Sequence, residues 1–125
     1  MTRKILASGI ILAFAFVLYA QNANKPVTIE GYIIDNACAG SHVKDPAFGE
    51  RVKKHSTSCA LSPNCAKSGY AVYTADAKLY KLDEAGNKSA SELLKDTDTK
   101  VGVAVTIEGT IDGDIIKVTK ITEKT

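Results

Sequence analysis

The pentapeptide Val-Thr-Ile-Glu-Gly occurs twice in this chain, at residues 27–31 and again at 105–109. In each copy apolar Val and Ile alternate with polar Thr and Glu, the period-two pattern of a strand with one face in a core. Each copy closes on a glycine, where a strand can bend sharply around the corner of a barrel. The flanking residues do not match, so the recurrence marks one structural demand met twice, not a duplicated module. Two strands of a single closing sheet are its natural carriers.

The remaining strands follow from the same periodicity. Val27 to Asp35 reads as the first. Tyr70 to Thr74 and Leu79 to Leu82 form a hairpin across Asp76-Ala77, and Val101, Val103, Val105, Ile107 and Ile111 give the cleanest alternation. Asp112-Gly113 turns the chain into a last strand, Ile115 to Ile121. In that strand Ile116 and Val118 disagree in parity with Ile121, which a β-bulge would reconcile. Ser89 with Glu92 makes a capping box ahead of Ala90, Leu93 and Leu94, a short helix. The order predicts a mainly β fold, a five-stranded OB-like Greek-key barrel with its helix between strands three and four. The two pentapeptides then lie on the first and fourth strands, which are neighbours in such a barrel.

The 125 residues leave room for one domain behind a targeting segment. Arg3 and Lys4 precede an almost wholly apolar stretch from Ile5 to Ala20, with Gln21 beyond it. This is a signal-peptide pattern, predicting a leader over residues 1–20 and a single OB-like domain over 21–125. Ala23 is a second candidate cleavage point. The apolar run of 16 residues is short of a comfortable membrane span, so membrane attachment is expected only if it stays uncleaved. No cysteine follows it closely to accept a lipid. The expected location is periplasmic or secreted. Removing Arg3 and Lys4 lowers the basic residues from 16 to 14, equal to the 14 acidic ones. A neutral domain has no long-range field to gather phosphate backbones, so nucleic acid is not an expected partner.

Residues 36–69 break the alternation and hold every cysteine and histidine in the chain: Cys38, His42, His55, Cys59 and Cys65. So long a connection is expected to carry structure or function. Asp45-Pro46 is a helix start, after which Phe48, Val52, His55 and Cys59 fall on one helical face. Ser62-Pro63 repeats the signal for a shorter turn that Gly69 ends. Cys38 and His42 share the i, i+4 spacing of His55 and Cys59, which lets a helix point two ligands at one ion, although Gly40 weakens the first pair. Thiolates with imidazole suit zinc, as a Cys3His or Cys2His2 site, or copper(I). In an oxidising compartment the same cysteines can instead form a disulfide and leave one thiol over. Covalent haem has no C-x-x-C-H handle, and no C-x-x-C suggests thiol exchange. A Cys38 nucleophile with a His base lacks an evident oxyanion element, so catalysis is not favoured. Tyr70, Tyr73 and Tyr80 lie where OB domains hold sugars or bases, but ordinary packing competes. Asp112-Gly113-Asp114 is read as a hairpin turn ahead of a calcium-loop fragment.

Taken together, Gly31-Tyr32-Ile33-Ile34-Asp35 followed by Cys38, His55-x3-Cys59, Cys65, Ser68-Gly69 and Lys78-Leu79-Tyr80-Lys81-Leu82-Asp83 resemble a group of small secreted bacterial OB-fold-like proteins of unknown function. The resemblance spans nearly the whole mature chain and implies an OB-like fold and export, with no activity attached. The sequence departs from that pattern at Asp76-Ala77-Lys78, where the group has Asp-Gly-Lys. Residues 40–54 also make a longer loop than in that pattern, so the resemblance assigns no role to His42. The reading is an exported, non-catalytic module binding zinc or copper through Cys38, His42, His55, Cys59 and Cys65. The alternative is a disulfide-stapled interaction domain that contacts an envelope protein or a glycan.

Overall fold

In the computed structural model, residues 25–124 are described, and the expected leader over residues 1–20 lies outside them. Strand β1, Val27–Asp35, runs antiparallel to both β2, Tyr70–Thr74, and β4, Ala104–Asp112. Strand β3, Leu79–Leu82, pairs antiparallel with β2 and parallel with β5, Ile115–Glu123. Since β5 also pairs antiparallel with β4, the sheet closes as a mixed five-stranded barrel in the order β1-β2-β3-β5-β4. The pentapeptides meet face to face across the β1–β4 seam, with Ile29 opposite Ile107 and Val27 opposite Gly109. Their glycines serve close approach. A Cβ on Gly31 would stand 2.3 Å from the Tyr73 carbonyl oxygen, and one on Gly109 would stand 2.2 Å from that of Lys117.

Among the described residues, five helices complete the fold. Four occupy the insertion: α1, Asn36–His42; α2, Phe48–Lys53; α3, Thr57–Ala60; and α4, Pro63–Lys67. The fifth, α5, covers Glu84–Asp96 between β3 and β4. It begins five residues ahead of the Ser89 capping box, because Asp83 caps it by accepting from the Gly86 amide at 2.9 Å. Asp83 also accepts from the Val118 amide at 3.1 Å, which ties α5 to β5. Strand β4 starts at Ala104 instead of Val101. Gly102 there has φ of 68°, which interrupts the extended chain and leaves Val101 exposed with a single bridge to Ser56. The bulge expected in the last strand is present: Glu108 pairs with Lys120 and Gly109 with Val118, so Thr119 is the extra residue. Ile116, Val118 and Ile121 thereby all pack on the core.

The barrel interior holds Ile33, Val72, Val105, Ile107 and Ile116, plugged by Ala90 and Leu94 of α5. A second cluster, Ile34, Ala39, Phe48, Val52 and Ala71, lies where the insertion covers the outside of β1 and β2. Successive residues of β1 thus face two different cores, which is why Ile33 and Ile34 are both buried. No helix among the described residues is long and apolar enough to cross a membrane.

Candidate metal centre

Asp35 ends β1 as the last residue of an otherwise apolar run and is completely buried. One carboxylate oxygen caps α1 by accepting from the Cys38 amide at 2.9 Å, and the other lies 2.8 Å from Nε2 of His55. A carboxylate is well suited to the helix start, where free N–H groups and the helix dipole favour negative charge. Burial pushes the Asp35 pKa up, but the Cys38 amide, the His55 ring and the Cys65 and Cys38 thiols outweigh it and hold the group below its ordinary value. The spacing Asp-x-x-Cys at a strand end was the available signal for this residue. From the sequence Asp35 stands out only as the end of a strand and as part of the motif over residues 31–35 ahead of Cys38, and not as a ligand.

With that cap in place α1 runs through the exposed Gly40 to His42, so Cys38 and His42 do share a helix. The entry of α1 is fixed to the residues before β2: the Asn36 amide donates to the Gly69 carbonyl at 2.9 Å, and that of Ala37 to Ser68 Oγ at 3.1 Å. Ser68 Oγ in turn donates to the Cys65 carbonyl at 2.6 Å, joining α1 to α4.

His55 and Cys59 do not share a helix, contrary to the periodicity. Asp45 accepts from the Ala47 amide at 2.9 Å, and α2 forms only from Phe48 to Lys53. The chain then pairs with the segment ahead of β4. The Gly102 amide donates to the His55 carbonyl at 3.0 Å, the Thr57 amide to the Lys100 carbonyl at 2.9 Å, and Thr57 Oγ1 to the Thr99 carbonyl at 2.7 Å. Those bonds replace the helical ones. Ser56 then caps α3 through the Cys59 amide at 3.1 Å. Gly102 has no room for a side chain, since a Cβ there would lie 2.2 Å from the Lys53 carbonyl oxygen.

Three separate helices therefore deliver the cysteines. The sulfurs of Cys38, Cys59 and Cys65 lie within 4.8 Å of one another. A second triad, Asp35, Cys38 and His55, meets the same limit and shares Cys38 with the first. The predicted ligands are thus brought together in two overlapping groups. His42 belongs to neither: it is exposed, and lines with Cys38, His55 and Cys59 an open cleft of about 610 Å³. All three thiols are unpaired and partly buried.

The tyrosines are accounted for by packing. Tyr70 is buried and donates to the Ala60 carbonyl at 2.9 Å, Tyr80 packs on the barrel core, and Tyr73 meets Phe48 edge-on at a ring separation of 4.9 Å. Another open cleft, about 670 Å³, lies along Tyr32, Tyr73, Gly49, Lys53 and Lys124, away from the cysteines. Comparisons with protein-family models, with curated proteins and with solved structures give no match for this chain.

Proposed function

We propose that the protein is an exported, non-catalytic OB-like module that binds a transition-metal ion, zinc or copper, through Cys38, Cys59 and Cys65. The observation that carries this reading is the convergence of the three sulfurs within 4.8 Å. Sulfurs around one tetrahedral zinc, each at about 2.3 Å from it, stand about 3.8 Å apart. The cysteines are therefore close to a thiolate cage before any ion enters. The OB reading is supported by the strand order and by the helix between β3 and β4. Export rests on the pattern of residues 1–20. The non-catalytic reading is supported by the state of Cys38. Burial first, and then the charge of Asp35, push its thiol up to about 12, the opposite of an activated nucleophile.

The same closeness of sulfurs favours a second reading, in which two of them oxidise to a disulfide and the domain contacts an envelope protein or glycan. Native mass spectrometry separates the two on protein exported through its own leader and purified without chelators. A mass increment of zinc or copper, lost on acidification, with three free thiols afterwards, is the expected result. A bare mass lower by two hydrogens, with one free thiol, would replace the metal reading by the disulfide one.

A further inference from the structure

Five metal-ligating side chains crowd the end of β1, and they do not converge on one point. Two donors bound to the same ion at 2.0–2.3 Å cannot be farther apart than about 4.6 Å. The donors form two compact triads, Cys38 with Cys59 and Cys65, and Cys38 with Asp35 and His55; Cys38 belongs to both, and the Cys65 thiol also lies against the Asp35 carboxylate. No single ion can take all five from where they stand.

We propose that the cluster holds two divalent cations of the zinc type, one in the thiolate triad and one between Asp35 and His55, with the Cys38 thiolate bridging them. The inference rests on the metal reading above and extends it to a second site. Charge argues for it. Bound to metal as thiolates, the three cysteines together with Asp35 would bring four negative charges into a partly buried pocket, where uncompensated charge is costly. One divalent ion offsets half of that, and two offset all of it. Asp35 is the member least able to stand alone, being 0 % exposed with His55 as its side-chain partner at 2.8 Å. That contact marks a position where a carboxylate oxygen and an imidazole nitrogen already face each other. With the imidazole proton on Nδ1, Nε2 presents a lone pair there, and an ion takes the place that a proton holds in the metal-free protein. Each thiol that binds releases its proton to solvent as the ion enters.

The surroundings suit such a pair. Each triad supplies three protein ligands and leaves a coordination position to be filled from outside. The cleft of about 610 Å³ that reaches Cys38, Cys59 and His55 gives water access to that side, and His42 stands on it. Cys38 is held by its own amide to Asp35 Oδ2 at 2.9 Å, so the bridging ligand and the carboxylate of the second triad are built on one turn of chain.

The test is zinc titration of the reduced, metal-free protein, followed by native mass spectrometry. Two zinc ions per chain at saturation are expected, with one retained by His55→Gln and one by Cys65→Ser. A wild-type chain that saturates at one zinc would overturn the second site and leave the thiolate site standing. A chain that takes no zinc would overturn both. Two zinc ions still held by His55→Gln would also refute the assignment, provided circular dichroism shows the barrel intact. The wild-type count depends on no variant.

Discussion

Asp35 shows how much one buried side chain can be asked to hold. It finishes a strand, caps a helix through the Cys38 amide and pairs with His55, all without contact with solvent. Its pKa is lowered in the fold, because the hydrogen bonds to its ionised form outweigh the burial that raises it. The carboxylate therefore contributes stability that is fully present above its ordinary value of 3.8 and is lost as pH falls through the lower folded value. In metal-free protein, Asp35→Ala is expected to cost about 3 kcal/mol at neutral pH, since it removes a buried charged acceptor and a helix cap together. Urea denaturation followed from pH 7 to pH 3 checks this, and the gap between wild type and variant should narrow only at the acid end.

At the scale of elements, strands were far more legible than helices. Both ends of β2 and β3 follow from the Gly69 stop before them and the Asp76-Ala77 turn between them, and the parity clash between Val118 and Ile121 was enough to place a bulge in β5, found at Thr119. Strand periodicity survives because one face of each strand is committed to the barrel. The helical insertion has no such repeat. His55 and Cys59 sit at helical spacing, yet backbone bonds to Lys100 and Gly102 break the helix between them, and partners that distant in sequence leave no local signal. Asp35 was overlooked for a related reason: a carboxylate that ends an apolar strand reads as the edge of solvent until a helix is seen to fold over it. The β2–β3 turn carries a testable strain. Ala77 has φ of 62°, a region that costs a residue with a Cβ about 1 kcal/mol. Ala77→Gly is expected to recover part of that, about 0.5–1 kcal/mol, read as a higher urea midpoint with an unchanged slope.

For the whole molecule, the two cores divide the work. The barrel buries Ile33, Val72, Val105, Ile107 and Ile116 without help from the cysteines; the insertion lends it Ala60 and Leu61 but otherwise rests on a smaller cluster around Phe48 and Val52. Metal removal should therefore loosen one part and spare the other, unlike a zinc finger, which unfolds without its ion. Hydrogen exchange in the presence of a chelator is expected to rise over residues 36–69 and to stay unchanged over β4 and β5. Uniform loss of protection would mean that the barrel, too, depends on the ion. The seam between β1 and β4 has a consequence of a different kind. Its two halves are the same five-residue word read in opposite directions, with Ile29 against Ile107 at the centre. Such a seam is a palindrome in space, and each half is a fair template for a copy of itself. Once opened, a β1 strand meets the β1 of a second chain with nearly the same side chains opposed as it meets its own β4, so the pentapeptide that closes the monomer is also where strand exchange between molecules would begin.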